Sequence, residues 1–425
     1  MRGNRVGHLL VRGWHGIYTT DPRVLPEASR LDSISHDEML ELASLGAGVM
    51  HSRSIEFAKK FGVPVVVRSS FAEGPGTAIV PAERAVPRPV SGVALAKSEA
   101  RLTLEGVPDQ PGSSHALFAR LAAAGIAVDM IIQNAGHGGT ANISFTVPED
   151  DLEAALAIAG KVANDLGAGN LSHNQHLAKV SVVGLGMATA EGVAGQMFAA
   201  ISAAGVNVHM ITTSEIKISV LVDRNDASRA VAAAHQAFGL EAADGHSANA
   251  TPLPIAKSDP LEVVRRLEGM EDLAIEGCQL DTSQALVSFL DLPDTPGVAA
   301  DVFAEIAQAG LFVDMIVQSF PQAGLAEISF TVPAADRDRA IAVAQGIAAT
   351  RGGRVTDVPH VAKLSITGVG IRSHAGVADR LFAPLAEAGI NIDLVSTSEV
   401  RVNVIVAAEA GERSLALLQT AFELD

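Results

Sequence analysis

The chain has 425 residues, of which 31 are Lys or Arg and 48 are Asp or Glu, giving a formal net charge of −17. This acidic balance repels nucleic acid phosphates and anionic lipids, so we expect no nucleic-acid partner and no membrane partner. A single cysteine, Cys278, excludes an intrachain disulfide framework and a cysteine-based metal cage. No segment offers about 20 uninterrupted apolar residues. The sequence therefore predicts a soluble, cytoplasmic protein with several cores.

The clearest pattern of predicted elements begins near residue 90. Residues 102–107 alternate as a strand does, and Leu117, Phe118 and Leu121 recur at helical spacing before Gly125 ends the helix. Two strands at 126–133 and 141–147 follow, separated by a Gly-rich turn at 135–139. A helix then runs from Pro148 to about residue 163, and a strand covers 178–183. This order of elements is that of the ferredoxin-like split βαβ fold.

The chain also repeats itself. PDQPG at residues 108–112 recurs as PDTPG at 293–297, VDMI at 128–131 recurs at 313–316, and ISFTVP at 143–148 recurs at 328–333. These phrases share one offset of 185 residues (293 against 108). GLG at 184–186 and TSEI at 213–216 match GVG at 368–370 and TSEV at 397–400. The segments near 90–240 and 275–424 are therefore two copies of one module.

Each copy divides again, because AAGIAVDMI at 123–131 resembles AAGVNVHMI at 203–211 and EAGINIDLV at 387–395. Four βαββαβ units result. We predict unit 1 at 90–170, unit 2 at 171–242, unit 3 at 275–355 and unit 4 at 356–425, with a linker at 243–274 rich in Ala, Ser, Pro and Asp. Residues 1–82 form a separate N-terminal segment.

These phrases resemble the paired ACT domains at the C-terminus of aspartate kinases. GIYTTDPR at 16–23, DEMLELASLG at 37–46, RSIEFA at 53–58 and VRSS at 67–70, followed by GPGT at 74–77, resemble the last part of the catalytic domain of that family. The resemblance implies a mixed α/β and α+β fold. Its parts are the C-terminal remnant of an amino-acid-kinase three-layer fold and four ferredoxin-like (βαββαβ) ACT domains.

The family's reaction transfers the γ-phosphate of ATP, held with Mg²⁺, to the side-chain carboxylate of aspartate. The resemblance implies that the nucleotide is contacted by Tyr18, Thr19, Asp21, Pro22 and Arg23. An arginine suits phosphate charge and a tyrosine suits a purine face. The alternative is a structured loop in which Asp21 caps a turn.

The family's Lys- and Gly-rich phosphate loop and its catalytic residues are missing from these 425 residues, so no catalytic residue is assigned and we predict an inactive chain when alone. Likeness to the family is expected to begin abruptly at Gly16, after an altered start or a frameshift. A family Lys after the Leu-Gly pair is here Gly48. Without its neighbouring strands, the run 63–67 would be an exposed apolar edge that aggregates or needs a partner.

In the resembled family, ACT domains bind an amino acid where the loop after the first strand of one unit meets its neighbour, and the resemblance implies lysine or threonine as the ligand. Backbone N–H groups suit its carboxylate, and side-chain oxygens suit its ammonium. In the first copy the resemblance implies Asp109, Gly112, Ser114, Asp129, Met130 and Gln133, facing Asn207 and Val208. In the second copy it implies Asp294, Gly297, Ala299, Asp314, Met315 and Gln318, facing Asn391 and Ile392.

Structural alternatives exist for each of these positions. Pro-Gly before a helix also serves as a plain turn and helix start, Asp129 could end a strand, and Met130 suits a core. The TSE phrase at 213–215 could be a polar turn. His209 occupies the place of Asp393 in the last unit, which predicts unequal ligand preference. No second ligand falls at metal spacing from His209, so no metal site is assigned.

Two functions remain open at this stage. The chain could be an aspartate kinase polypeptide, or it could be a non-catalytic ACT-domain regulatory subunit that controls a separate kinase subunit. Either form would dimerise or join a full-length kinase subunit through its ACT domains. RNA binding fails because Tyr18 and Trp14 are the only tyrosine and tryptophan.

Overall fold

The computed structural model describes residues 7–11, 15–45, 50–86, 88–133, 138–188, 190, 192–242, 274–321, 323–369, 371 and 376–424. Residues 243–273 of the predicted linker, residues 135–137 of the predicted turn, residues 12–14 and Gly48 lie outside these ranges. Within the described ranges, no helix is both long enough and apolar enough to cross a membrane.

The N-terminal segment forms a four-stranded sheet with two helices. Its elements are β1 (Gly7–Val11), β2 (Ser33–Ser35), α1 (His36–Ser44), α2 (Ser52–Lys60), β3 (Val65–Ser69) and β4 (Thr77–Val80). The strand order is β1-β3-β4-β2, with β3 parallel to β1 and antiparallel to β4. A capping box starts α1, because Ser35 and Glu38 each accept a backbone N–H of the other residue.

The prediction that residues 63–67 form an exposed strand edge is wrong. Strand β3 lies inside the sheet, with β1 on one side and β4 on the other. Val67 is fully buried in a core with Ile55 and Ile79. The prediction failed because it left out residues 7–11, which supply the strand that covers this edge.

The four units follow as a long series of strands and helices. The first copy contains β5 (Gly92–Pro108), α3 (Ser113–Ala123), β6 (Ile131–Gln133), β7 (Thr140–Pro148), α4 (Leu152–Leu166), β8 (Asn170–Val183), α5 (Val193–Ala203), β9 (Met210–Ser214), β10 (Lys217–Asp223) and α6 (Ala227–Ala237). The second contains β11 (Ala274–Pro293), α7 (Val298–Gln308), β12 (Ile316–Gln318), β13 (Leu325–Pro333), α8 (Arg337–Arg351), β14 (Arg354–Val369), α9 (Gly376–Glu387), β15 (Leu394–Thr397), β16 (Arg401–Ala407) and α10 (Gly411–Phe422).

The order β5-α3-β6-β7-α4-β8 is the predicted βαββαβ order, and the predicted fold class is confirmed. Three strands differ from prediction. Strand β5 covers Gly92–Pro108 rather than 102–107. The regular strand β6 is shorter than the expected 126–133, whereas β8 begins at Asn170 rather than near 178. The long strands are shared: residues 92–96 of β5 pair with 179–183 of β8, and residues 99–108 of β5 pair with β7. The domain boundaries inside these strands stay a prediction.

The strands of all four units close into one barrel in the order β10-β8-β5-β7-β6-β15-β16-β14-β11-β13-β12-β9. Closure depends on two edge contacts between copies. Strand β6 of unit 1 pairs with β15 of unit 4, and β9 of unit 2 pairs with β12 of unit 3. Units 1 and 4 therefore form a first pair, and units 2 and 3 form a second pair.

Alternation along each strand separates two faces. One face packs on the helices, with Phe118 stacked on Phe382 at 5.5 Å in the first pair and Phe198 against Phe303 at 5.3 Å in the second. The other face gathers Met130, Met210, Met315 and neighbouring aliphatic side chains into a cluster of its own. Buried hydroxyls on this face bond to each other, as Ser181 does to Ser219 at 2.7 Å.

Candidate functional site

The Pro-Gly loops form the starts of helices α3 and α7. Gly112 and Gly297 are the N-cap residues and lie in the left-handed region, with φ values of 94° and 101°. Glycine suits these positions because a side chain is strained at positive φ. Neither N-cap offers a side-chain acceptor. The first N–H groups, those of Ser113 and Val298, donate to the carbonyl oxygens of Gln110 and Thr295 at 3.3 Å. The N–H groups that follow in the first turn can meet an anion.

Cleft A lies between units 1 and 4, where residues 109–114 meet Asn391 and Ile392. Asn391 Nδ2 donates to Asp109 Oδ1 at 2.8 Å, and Gln133 Nε2 donates to the carbonyl oxygen of Ile392 at 2.6 Å. Ser114 Oγ donates to Gln133 Oε1 and so fixes the orientation of that amide. Cleft A therefore joins polar groups of two units across the strand contact of the first pair.

Cleft B repeats this arrangement between units 3 and 2, where residues 294–299 meet Asn207 and Val208. Asn207 Nδ2 donates to Asp294 Oδ1 at 3.2 Å, and Gln318 Nε2 donates to the carbonyl oxygen of Val208 at 3.1 Å. Ala299 lines cleft B and supplies no hydroxyl. The cavity volume is only about 20 Å³, so cleft B is nearly closed.

The predicted partners of the two residue sets are exchanged. Asp109 and Gln133 were expected to face Asn207 and Val208, but they face Asn391 and Ile392. Asp294 faces Asn207 in turn. The expectation that the two units of one copy face each other is wrong, because β6 and β9 of the first copy pair with strands of the second copy.

Four members of the predicted set lie away from clefts A and B. Met130 and Met315 belong to the inner cluster of the barrel, which agrees with the core alternative for Met130. Asp129 is 4% exposed and forms an ion pair with the buried Lys179, whose Nζ also lies 3.3 Å from Glu99 Oε1. Asp314 pairs with Lys363. Both carboxylates already have a cationic partner.

Asp129 and Asp314 line two further cavities between the units. Cleft C, with a volume of about 330 Å³, lies between residues 192–195 and 213–215 of unit 2 and residues 311–316 of unit 3. Cleft D, of about 70 Å³, lies at the equivalent place in the first pair, between residues 377–382 of unit 4 and 126–131 of unit 1. The TSE phrase at 213–215 therefore borders the larger cavity.

The N-terminal segment contributes a cavity of about 550 Å³ beside β5. Tyr18, Asp21, Pro22 and Arg23 line it, but Thr19 is fully buried and its Oγ1 lies 2.8 Å from His235 Nε2. Arg23 donates to both carboxylate oxygens of Asp21, and this bond holds the pKa of Asp21 below its usual value. This contact agrees with the alternative in which Asp21 organises its own loop.

The cavity fits an anionic nucleotide only in part. Arg23 is exposed and Lys97 also lines the cavity, so two cationic side chains could meet phosphates. The described residues contain no group of three His, Cys, Asp or Glu side chains that could hold a metal ion. The segment therefore offers charge for phosphates and no ready-made ligand set for Mg²⁺.

A buried charged junction that the sequence did not indicate joins α1 to the ACT units. Lys217 Nζ lies 2.8 Å from Glu41 Oε2, with exposed fractions of 2% and 0%. Glu41 Oε1 also accepts the backbone N–H of Glu399 at 3.1 Å, and Glu38 Oε1 accepts that of Leu185 at 3.0 Å. The signal lay in Glu38 and Glu41, acidic residues at the apolar face of a short helix.

Asp393 and His209, at equivalent positions, have different surroundings. Burial raises the pKa of Asp393 to about 6, and the negative charges of Asp109 and Glu409 add to this. His209 instead packs on the ring of Phe320 at 5.5 Å, with its Nε2 3.3 Å from Asp223 Oδ1. Clefts A and B therefore differ in charge beside a shared set of hydrogen bonds.

Comparison with known proteins supports this architecture. The model of the amino acid kinase family matches residues 9–69, and that of the ACT domain matches 102–161, 180–238 and 364–422. The first match begins before Gly16, so the predicted abrupt start of likeness at Gly16 is wrong. Unit 3 has the same element order as the matched units.

The relatives are named as aspartate kinases or aspartokinases, which are two words for the same enzyme. The aspartate kinase of Stutzerimonas stutzeri is 45% identical over 235 residues, 55% of this chain and 57% of that protein. The aspartokinase of Thermus thermophilus is 44% identical over 230 residues, 54% of this chain and 56% of that protein. The chain thus spans somewhat more than half the length of these curated relatives.

A solved structure covers nearly the whole chain. The crystal structure of aspartate kinase from Synechocystis is similar with a TM-score of 0.71 and 35% identity, over 99% of this chain and 71% of that one. An amino acid kinase segment followed by repeated ACT domains defines the class of this chain. The chain belongs to the aspartate kinase family.

Proposed function

We propose that the chain carries the feedback-regulatory part of an aspartate kinase, the enzyme that converts ATP and L-aspartate to 4-phospho-L-aspartate. In this proposal clefts A and B bind an amino-acid effector, lysine or threonine. The observation that carries it is the repeated constellation: each cleft brings an Asp and a Gln of one unit against an Asn and a backbone carbonyl of another.

The chemistry of both clefts suits a free amino acid. The uncapped first turns of α3 and α7 offer N–H groups to its carboxylate, and Asp109 or Asp294 offers negative charge to its ammonium. The ligand would replace the bond from Asn391 to Asp109, or that from Asn207 to Asp294. Since cleft B holds only about 20 Å³, binding would also move one unit against the other.

Movement between units could reach the kinase segment through the junction at Glu41. Lys217 belongs to unit 2 and Glu399 to unit 4, and both contact the same carboxylate. An effector that changes the spacing of these units would change how α1 packs against units 2 and 4. A coupling free energy of ~1–3 kcal/mol is typical of such systems.

The nucleotide site and the oligomeric state are finer parts of the proposal. ATP with Mg²⁺ would lie at the cavity lined by Tyr18, Asp21, Pro22 and Arg23. Thr19 does not line this cavity and would contribute only indirectly, through its contact with His235. These 425 residues do not include the family's Lys- and Gly-rich phosphate loop, so we expect no phosphoryl transfer by this chain alone. In this proposal the chain forms a homodimer or associates with a full-length kinase subunit. Activity would depend on catalytic residues that lie outside these 425.

Thermal unfolding of the whole chain against each of the twenty amino acids, and separately against MgATP, tests the proposal. An effector at about 100 times its Kd adds roughly 2.7 kcal/mol to the free energy of unfolding. A selective shift with lysine or threonine and none with MgATP would support the alternative of a non-catalytic regulatory subunit. A shift with MgATP as well would favour the kinase polypeptide, and no shift with any amino acid would contradict effector binding.

A further inference from the structure

The loop at residues 19–29 of the N-terminal segment, here called the cavity loop, is closed by hydrogen bonds between its two ends. Thr19 N–H donates to the carbonyl oxygen of Ser29 at 2.8 Å, and Ser29 N–H donates to Thr19 Oγ1 at 3.0 Å. Residues 20–24, between these ends, line the cavity of about 550 Å³ beside β5. The position of the cavity loop therefore sets the shape of one wall of that cavity.

The end of unit 2 holds the cavity loop at three points. His235, in the last turn of α6, places its Nε2 2.8 Å from Thr19 Oγ1, and the two residues are buried, with exposed fractions of 2% and 0%. Ser29 Oγ donates to the carbonyl oxygen of Glu241, just after α6. Val24, near the centre of the loop, packs against the core between the sheet and the helices of the second pair. Unit 2 therefore contacts both ends and the middle of the loop.

Unit 4 differs at the matching place. Position 419, which corresponds to position 235 (419 against 235, an offset of 184), is Gln419 on α10, and this helix packs against α9, β11 and β14 of its own copy. Unit 2 holds the backbone of Thr19 as well, because the carbonyl oxygen of Thr19 accepts Val93 N–H at 2.7 Å. Val93 lies in the part of β5, residues 92–96, that pairs with β8 in the sheet of unit 2.

The ring of His235 can also respond to pH. Burial lowers the pKa of His235 below its usual value of 6.5, and the charges that act on the ring, those of Glu241 and of Glu27 in the cavity loop, oppose this shift only in part. The core side chains that α5, β5 and β8 place beside α6 are apolar. The stability that the neutral ring contributes is therefore complete above pH 6.5 and is lost as the pH falls through the lower pKa of the folded state.

We propose that His235 is a positioning residue through which unit 2 sets the cavity loop, so that a movement of unit 2 shifts this wall of the cavity. His235 acts through Thr19 and does not line the cavity itself. The inference rests on the proposed function, because it takes this cavity as the nucleotide site and the ACT pairs as the moving parts. It assigns the loop to the second pair, whereas Glu41 ties α1 to units 2 and 4 together.

Hydrogen exchange of the whole chain, read by mass spectrometry on peptides that span residues 17–31, tests the positioning role. His235→Leu should speed exchange in these peptides by about fivefold, the factor expected for loss of one buried hydrogen bond. His235→Gln keeps a side-chain nitrogen that can reach Thr19 Oγ1, and it should leave exchange unchanged. Gln419→Leu is the matched control on α10 and should leave exchange in residues 17–31 unchanged.

Tyr18 gives a readout that a purely structural role would not change. It is the only tyrosine, and Trp14 is the only tryptophan, so the Trp14→Phe chain has one fluorophore, which lies beside Thr19. Quenching of Tyr18 fluorescence by acrylamide should increase as the pH falls below 6.5, because protonation of His235 loosens the loop. His235→Gln, which does not titrate, should remove this change.

Two results would overturn the inference. One is unchanged exchange in residues 17–31 for His235→Leu, or exchange that rises equally in the peptides of unit 4, which would show a global loss of stability. The other is a pH-dependent change of Tyr18 quenching that persists in His235→Gln. Neither measurement uses a ligand, so these failures leave the proposed function standing. Absence of MgATP binding to the unmodified chain would instead overturn the proposed nucleotide site alone.

Discussion

The two pairs of ACT units place a lysine at the same position of the barrel but surround it differently. In the first pair, Lys179 is 1% exposed and lies between Asp129 and Glu99. In the second pair, Lys363 is 12% exposed and pairs with Asp314, and Gln284 stands where Glu99 stands. The charge cluster of the first pair thus has an amide in place of one carboxylate in the second pair, and Gln284 Oε1 finds no hydrogen-bond partner among the described residues.

A second pair of equivalent positions shows the same divergence. Lys217 of unit 2 and Arg401 of unit 4 both follow a TSE phrase. Lys217 reaches the fully buried Glu41 of α1, whereas Arg401 pairs with Glu215, which is 42% exposed. The duplication therefore supplied two similar turns, and only one of them anchors the kinase segment by a buried ion pair.

The largest effect is expected at Lys179. Lys179→Met would leave Asp129 and Glu99 buried without their cation, and loss of one partner of a buried pair costs about 3–5 kcal/mol. Lys363→Met should cost about 1–2 kcal/mol, because Asp314 stays partly accessible to water. Urea unfolding of both variants measures the difference. Equal losses would show that the two lysines are equivalent after all.

The next effect concerns the anchor of α1. Lys217→Met should lower the free energy of unfolding by about 3 kcal/mol, since Glu41 keeps a buried charge with one backbone N–H as a remaining donor. Arg401→Met should cost no more than about 1 kcal/mol, as is usual for a partly exposed pair. Limited proteolysis would locate the weakness: cleavage should rise within residues 15–86 for Lys217→Met alone.

Asp393 should make the stability of the folded chain depend on pH. The pKa of Asp393 is raised from 3.8 to about 6 in the folded chain, so the folded state holds this proton more tightly than the unfolded state does. The contribution of Asp393 to the free energy of unfolding is therefore lost as the pH rises from about 4 to about 6. Asp393→Asn should therefore raise the free energy of unfolding by roughly 2 kcal/mol at pH 8 and by little at pH 4.

Unfolding of Asp393→Asn at both pH values checks this sign. His209→Asn, at the equivalent position of unit 2, is the control, because no carboxyl is removed there. A gain of stability for Asp393→Asn that is equal at pH 4 and pH 8 would rule out titration of Asp393 as its cause.

Local patterns predicted the order of strands and helices within a unit. The βαββαβ order followed from strand alternation, helical spacing and the Pro-Gly and Gly-rich turns, which act within about ten residues of each other. The left-handed Gly112 and Gly297 were foreseeable as helix starts for the same reason. The phrases of the N-terminal segment and of the repeats also led to the correct family.

Contacts between distant residues could not be read in the same way. Each unit has a free strand edge, and the sequence alone permits closure within one copy or across the two copies. The pairing of β6 with β15 joins residues that lie far apart in the chain, such as Gln133 and Val395, and no local pattern records it. The residues of clefts A and B were therefore named correctly as neighbours of a partner unit, but that partner was assigned wrongly.

The smallest expected effect tests what the two pairs still share. Asn391→Ala removes the bond to Asp109, and Asn207→Ala removes the bond to Asp294, with donor–acceptor distances of 2.8 and 3.2 Å. Each should lower the free energy of unfolding by about 0.5–1.5 kcal/mol, the usual net value of one such bond. If clefts A and B are both effector sites, each variant should also gain affinity for one class of ligand, because the bond that the ligand replaces is already absent. An effect of Asn207→Ala on the cleft that contains Asp109 would contradict the crossed pairing, because the described structure shows Asn391, not Asn207, donating to that carboxylate.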